Sequence, residues 1–154
     1  MKVHTLERFL VLPRSPAEVA LFFADPANLV RLTPPWLDFR ILTPLPLALR
    51  RGTLIDYRIR LRGVPLRWRS LISAWDPPRG FIDEQVRGPY RLWIHEHLFE
   101  PAPGGTRVTD RVQYAAPGGA LVHRLFVAPD LERIFDHRAA RAAELLGPEG
   151  AGRG

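Results

Sequence analysis

Two histidines lie two residues apart in the segment 90–100, whose composition favours a β-strand. Because strand side chains repeat every second residue, one face carries Trp93, His95, His97 and Phe99. Two imidazoles so placed could bind zinc, with Asp110 of the next strand as a third ligand, or could exchange hydrogen bonds with a bound carbonyl or hydroxyl. A catalytic zinc needs three protein ligands and the spacing assures only two, so we expect no metal. The pattern leaves open which face points inward, because the other face carries Leu92, Ile94 and Leu98.

Asp110 is the second candidate for chemistry. It lies on the apolar face of its strand, together with Val108, Val112 and Tyr114. A carboxylate that points inward must be paired or protonated, because an isolated buried charge costs several kcal/mol. Its expected partners are His95 or His97 across the hairpin, or Arg138 from the C-terminal helix. The favoured interpretation is a buried ion pair that joins helix to sheet, and the alternative is acid/base chemistry by an Asp–His couple.

Arg138 is the candidate cation of this group. It follows Phe135 by three residues on an apolar helical stripe and precedes Ala142 by four. An arginine at the edge of such a stripe commonly extends its charge into solvent. Inside a cavity, the same guanidinium would bind a ligand carboxylate or phosphate.

Aromatic and polar side chains on neighbouring predicted strands complete the candidate site. Each alone is typical of a packed core, but together they indicate a mostly apolar pocket with few polar anchors. The predicted ligand-binding residues are Tyr57, Trp68, Gln85, Trp93, His95, His97, Asp110, Tyr114, Phe135 and Arg138. We assign no catalytic residue and no cofactor, because the chain has no phosphate-binding loop, no Gly-x-Ser-x-Gly and no His-Glu-x-x-His.

The elements that position these residues follow from periodicity and from turn signals. A strand over His4–Leu12 precedes two short helices, which begin at the capping signals Ser15-Pro16 and Asp25-Pro26. Strands are then predicted over 37–43, 53–62, 66–75, 81–86, 90–100 and 106–115, separated by Gly- and Pro-rich turns. From residue 121 the apolar period becomes helical, with an interruption at Pro129.

This order predicts an α+β helix-grip fold. A curved antiparallel sheet of about seven strands surrounds a long C-terminal helix, and two short helices follow the first strand. Parallel pairing is excluded because the successive strands lack helical crossovers. A helix held in this way leaves a cavity between itself and the sheet.

Composition sets the outer limits of function. The 154 residues include no Cys, which excludes disulfides, thiol nucleophiles and Cys-ligated zinc. We expect one domain over 1–146 and a flexible tail over 147–154. The net charge of +6 is carried by arginines scattered among acids, so we do not expect nucleic-acid binding. The N-terminal segment is not typical of a signal peptide or a membrane span, and a cytoplasmic monomer or homodimer is expected.

Several local strings resemble the START-like superfamily, which includes the polyketide cyclases and the Bet v 1-like proteins, and in particular the small bacterial ligand-binding SRPBCC proteins. The resemblance covers nearly the whole chain. It rests on DPANL (25–29), TPPW (33–36), GTLIDY (52–57), WRS (68–70), DEQ (83–85), GPY (88–90), WIHEHLFE (93–100), GGT (104–106), DRVQY (110–114) and IFDHR (134–138).

The resemblance implies a cavity protein, but such families bind ligands of many classes, so the fold does not define the function. The leading hypothesis is binding, transport or sensing of a hydrophobic or aromatic small molecule, lipid- or polyketide-like, without catalysis. The first alternative is a cyclase, aromatase or dehydratase that acts on a polyketide-like chain. The second is an interaction module that uses an arginine-rich outer sheet face, formed by Arg58, Arg60, Arg62, Arg67 and Arg69.

Overall fold

Alternating apolar and polar residues build a seven-stranded sheet, as the period-two pattern predicts. The structure is a computed structural model that describes residues 1–147. Its strands are β1 (His4–Leu12), β2 (Arg40–Ile41), β3 (Leu54–Leu61), β4 (Val64–Asp76), β5 (Gly80–Arg87), β6 (Leu92–Ala102) and β7 (Gly105–Ala115). All neighbours pair antiparallel in the order β1-β7-β6-β5-β4-β3-β2. The predicted α+β class and the seven-stranded curved sheet are confirmed.

One predicted strand is much shorter than expected. The segment 37–43 contributes only β2, because a 3-10 turn over Pro35–Leu37 precedes it and Asp38 adopts a left-handed φ of 43°. Pro44 and Pro46 follow, and neither can donate a hydrogen bond to a neighbouring strand. The chain therefore leaves the sheet edge after two residues.

The two predicted short helices are present as α1 (Pro16–Phe23) and α2 (Pro26–Leu32). The Ser15 hydroxyl accepts a hydrogen bond from the Glu18 backbone N–H at 3.2 Å. The Asp25 carboxylate accepts one from the Ala27 N–H at 3.0 Å. Each cap satisfies a backbone donor that the first helical turn leaves free, which explains why both helices begin where the sequence indicates.

The C-terminal helix runs without a break through three consecutive segments. These are α3 (Gly119–Val122), a π-helical turn (His123–Val127) and α4 (Ala128–Leu145). Pro129 lies in the first turn of α4. A proline removes one backbone donor and clashes with the carbonyl four residues before it, and a wider turn accommodates both effects. The predicted interruption is therefore a local change in helical pitch.

The core lies between the inner face of the sheet and α4. Leu131 and Phe135 of α4 belong to the same buried cluster as Val108 and Val112 of β7, and each is at most 4% exposed. Burial of a side chain of this size contributes about 1.5–3 kcal/mol, so this shared cluster anchors the helix to the sheet.

The end of the described chain is attached to the body of the protein. The Gly147 carbonyl accepts hydrogen bonds from the Arg14 guanidinium at 3.3 and 3.4 Å. The rest of the predicted tail, 148–154, lies outside the described residues. None of the helices within 1–147 combines the length and the apolar character that a membrane crossing requires.

Candidate functional site

The histidine face of β6 points into the protein. Trp93, His95, His97 and Phe99 are between 3% and 8% exposed, whereas Ile94 and Leu98 of the opposite face are only half-buried. The sheet therefore resolves the ambiguity of the sequence, because only one face of β6 lies under the C-terminal helix.

Asp110 lies on the inner face of β7 with the partners that the sequence predicts. His95 Nε2 donates a hydrogen bond to its carboxylate at 2.8 Å. The Arg138 Nε atom lies 3.5 Å from the other carboxylate oxygen, and His97 Nδ1 lies 3.6 Å from the first. The register supports this group, because His97 is directly opposite Asp110 in the β6–β7 pair. A carboxylate on the sheet is thus ion-paired with a guanidinium on the helix.

Asp83 is a further member of this group that our sequence analysis did not single out. It lies on β5 directly opposite His95, and its carboxylate accepts a hydrogen bond from His97 Nε2 at 2.5 Å. Its distance to His95 Nδ1 is 3.8 Å. The sequence contains a signal for this position. Asp83 follows the buried Phe81 by two residues and therefore lies on the same face of β5.

The buried polar cluster consists of Asp83, His95, His97, Asp110 and Arg138. Burial and the neighbouring His95 ring lower the pKa of His97 to about 4, although the bond to Asp83 opposes this shift. Burial raises the pKa of Asp110, but the charge of Arg138 and the His95 hydrogen bond outweigh it, so the pKa lies well below its usual value. Burial also raises the pKa of Asp83, and the His97 hydrogen bond and nearby positive charge outweigh it. The cluster therefore holds two ionised carboxylates and one guanidinium, which lies at ion-pair distance from Asp110 only.

A cavity of about 180 Å³ lies between the inner face of β3–β6, α2 and α4. Seven predicted residues line it: Tyr57, Trp68, Trp93, His95, His97, Phe135 and Arg138. Aliphatic side chains such as Ile59, Ile72 and Ile134 make up much of the remaining wall, with Asp83 and Ser70 as further polar groups. The polar cluster therefore forms one side of an otherwise largely apolar space.

Three predicted residues do not reach this cavity. The Gln85 side chain instead bonds to the Tyr90 backbone, donating to its carbonyl at 2.7 Å and accepting from its N–H at 3.0 Å. Tyr114 shares a hydrogen bond of 2.7 Å with His123 beneath the start of the C-terminal helix. Asp110 lies behind His95 and Arg138, so it positions cavity groups without lining the space. A position on the inner face of the sheet is not sufficient for a residue to line the cavity, because the cavity occupies only part of that face.

A second polar contact lies on the β3–β4 part of the cavity wall. The Tyr57 hydroxyl and the Ser70 hydroxyl share a short hydrogen bond, and Trp68 Nε1 donates to Ser70 at 3.1 Å. Burial raises the pKa of Tyr57 far above its usual value, so the phenol remains neutral. Ser70 thus satisfies two aromatic groups that line the cavity.

Three of the five arginines of the arginine-rich outer face lie at ion-pair distance from acids. Arg69 lies 2.7 Å from Asp56, and Arg62 lies 2.9 Å from Asp130. Arg60 lies 3.7 Å from Asp38. These pairs favour a solvated, ion-paired surface over a nucleic-acid interface.

The fold and the cavity beneath the C-terminal helix define the class of structure. No protein-family model matches the sequence, and a search of curated proteins finds no significant match. Solved structures do match: a protein from Chromobacterium violaceum is 16% identical, with a TM-score of 0.75 over 94% of this chain and 97% of the other. The chain therefore has the fold of the SRPBCC and Bet v 1-like proteins, as the sequence resemblance implies.

Plant proteins share this fold. The ginseng major latex-like protein 151 from Panax ginseng is 10% identical, with a TM-score of 0.70 over 95% of this chain and 99% of the other. Ara h 8.0201 is 18% identical, with a TM-score of 0.61 over 92% of this chain and 99% of the other. At this level of identity the likeness concerns the backbone, and the chemistry of the site must be argued from this chain's own residues.

Proposed function

We propose that this protein binds a small, mainly apolar molecule in the cavity beneath the C-terminal helix, with the polar end of that molecule directed at the buried polar cluster. The observation that carries the proposal is a largely apolar cavity that the buried polar cluster borders on one side. This is the usual composition of a small-molecule site, in which apolar walls provide affinity and a few polar groups fix orientation.

The size of the cavity narrows the ligand class. A volume of about 180 Å³ is close to that of an engineered apolar cavity of roughly 150 Å³ that binds benzene. It is well below the roughly 300–1,000 Å³ of sites for drug-sized molecules. The cavity as it stands therefore suits a single substituted aromatic ring or a short acyl chain, and a longer lipid- or polyketide-like ligand requires its walls to move apart.

Binding can be tested with 4-fluorophenol, which combines one apolar ring with one hydroxyl, by following its ¹⁹F NMR signal. We expect a saturable shift with the unmodified protein. Ile134→Trp fills the cavity from α4 and should abolish the shift, whereas Leu121→Trp alters an exposed position of the same C-terminal helix and should preserve it. Native mass spectrometry of freshly purified protein adds a direct search for a co-purifying small molecule. Equal binding by both variants, or no binding together with no co-purifying molecule, would contradict the proposal.

A second candidate function is proton-transfer catalysis of the cyclase, aromatase or dehydratase type. The observation in its favour is the Asp83–His97 pair in the cavity wall, where a neutral imidazole could accept a proton. Incubation with a 3,5,7-triketo thioester, in which carbon 2 can attack the carbonyl at carbon 7 to close a six-membered ring, should then yield a cyclised product that has lost one water. His97→Gln should abolish that product while 4-fluorophenol still binds. Binding without turnover would favour the carrier.

A further inference from the structure

Three side chains of the polar cluster bring metal-ligating atoms together at the cavity wall. The Asp83 carboxylate, one nitrogen of His95 and one nitrogen of His97 all lie within 4.8 Å of one another. We propose that these three residues hold one divalent transition-metal ion of the Zn²⁺, Co²⁺ or Fe²⁺ type. This inference goes beyond the proposed function, because an apolar ligand could enter the cavity with or without the ion.

One distance between the donor atoms is shorter, and one is longer, than the separation of two ligand atoms bound to the same ion. In a tetrahedral site, ligand bonds of about 2.0–2.2 Å place neighbouring donor atoms about 3.3–3.6 Å apart. His97 Nε2 lies 2.5 Å from an Asp83 carboxylate oxygen, and His95 Nδ1 lies 3.8 Å from the same oxygen. Small rotations of side chains on adjacent strands would make the two distances equal. Two imidazoles and one carboxylate form a donor set typical of these metals.

Asp110 serves as the outer partner of both histidines. His95 donates to it through Nε2 at 2.8 Å, which leaves the Nδ1 lone pair facing Asp83. His97 presents Nδ1 to the same carboxylate at 3.6 Å, so a proton at Nδ1 would leave Nε2 free as a ligand. A carboxylate that fixes the protonated nitrogen of a metal-binding histidine is the usual second layer of such a site.

Arg138 must adjust its contact with His97. Its Nη2 atom lies 3.4 Å from His97 Nδ1, and two donors would oppose each other there once Nδ1 carries a proton. The ion pair with Asp110 remains available to the guanidinium, at 3.5 Å through Nε. The proposed ion therefore requires two hydrogen bonds to be exchanged, this weak one and the bond from His97 Nε2 to Asp83, which the ion would replace.

The charges of the cluster favour a cation. Asp83 and Asp110 carry two negative charges, and Arg138 supplies one positive charge that lies against Asp110. Asp83 is left with one hydrogen bond, from His97, and no arginine or lysine among the described residues lies at ion-pair distance from it. A divalent ion at Asp83 would compensate this charge. With only three protein ligands, its remaining positions would face the cavity.

The test uses Co²⁺, whose visible absorption reports coordination. The purified full chain is treated with EDTA, dialysed and titrated with Co²⁺. We expect saturable absorption bands at one ion per chain, which added Zn²⁺ displaces. Asp83→Asn should weaken Co²⁺ binding by more than about 100-fold, and Asp110→Asn by about 10- to 100-fold, as for other outer partners.

The matched control is the other histidine pair, His4 and His123. Their rings stack with centroids 3.5 Å apart, and neither residue lines the cavity. The double variant His4→Gln/His123→Gln should bind Co²⁺ as the unmodified protein does. Absorption that survives Asp83→Asn, or that disappears in the double variant, would overturn the site.

A second measurement covers the case in which Asp83→Asn does not fold. X-ray absorption of the Co²⁺-loaded unmodified protein should show two imidazole ligands, and none or one would overturn the proposal. Binding of 4-fluorophenol in the presence of EDTA is measured separately. The proposal of a metal site and the proposal of a ligand cavity can therefore be contradicted independently of each other.

Discussion

At the residue scale, Asp110 links the sheet to the C-terminal helix. It is 7% exposed, and its carboxylate is shared by His95 and Arg138. Asp110→Asn removes the negative charge and leaves the guanidinium poorly compensated in a buried position. We expect a loss of about 3–5 kcal/mol in the free energy of unfolding, measured by urea denaturation.

The control for this prediction is the same substitution in an exposed pair. Asp76 lies 2.8 Å from Arg79 with its side chain 60% exposed. Asp76→Asn should leave the free energy of unfolding nearly unchanged, because solvent screens such a pair. Similar losses for the two variants would place Asp110 in an environment as well solvated as Asp76.

Ser70 offers a second test at the same scale. Its hydroxyl is the partner of both the Tyr57 hydroxyl and the Trp68 indole N–H. Ser70→Ala leaves two buried polar groups without this partner, and each costs about 1–3 kcal/mol when unsatisfied. Adding Tyr57→Phe removes one orphaned group, so the double variant should be more stable than Ser70→Ala alone in thermal unfolding. A double variant that loses further stability would contradict this account.

At the scale of elements, the close pairing of β5 with β6 positions Asp83 against His95 and His97. Gly80 opens β5 at a φ of 155°, and a Cβ atom there would lie 2.0 Å from the His97 carbonyl oxygen. Gly80→Ala must therefore push the two strands apart. Overpacking and backbone strain together predict a loss of about 2–5 kcal/mol in the free energy of unfolding.

A turn glycine separates the backbone effect from the clash. Gly104 has a φ of 87°, but a Cβ atom at this position would meet nothing within 4 Å. Gly104→Ala should show only the strain of its conformation, about 1–3 kcal/mol. If ¹H–¹⁵N NMR spectra show shifts around His97 in Gly80→Ala and none there in Gly104→Ala, the clash is confirmed. Unchanged His97 signals in Gly80→Ala would rule it out.

At the scale of the whole molecule, the buried polar cluster predicts that acid destabilises the metal-free fold. The pKa of His97 falls from 6.5 to about 4 on folding, so the unfolded chain binds more protons between these values. The stability that neutral His97 contributes to the fold is fully present above about pH 6.5. It is lost as the pH falls toward 4, and the free energy of unfolding decreases by up to about 3 kcal/mol. Below that range the lowered pKa values of Asp83 and Asp110 continue the loss.

Urea denaturation in EDTA at pH 7, 6 and 5 measures this dependence. His97→Gln removes the titrating group and should flatten the slope between pH 7 and 5. A stability that rises on acidification, or an unchanged slope in His97→Gln, would show that His97 is not the group responsible.

Much of the architecture could be predicted from local patterns. Period-two alternation placed Ile55, Tyr57 and Ile59 on the buried face of β3, and the capping residues Ser15 and Asp25 located both short helices. The parity of β7 placed Asp110 inside and limited its partners to residues that it does contact. These features depend on side chains a few positions apart, whose relative directions are set by backbone geometry alone.

Tertiary structure decided which inward residues form a site. Asp83 joins His95 and His97 only because the β5–β6 register places it opposite His95 and diagonal to His97. Gln85, two residues later, bonds to the Tyr90 backbone instead. The inward face of β6 and the extent of the cavity depend on where α4 crosses the sheet. Register and helix position are set by contacts between residues distant in sequence, so no local period can specify them.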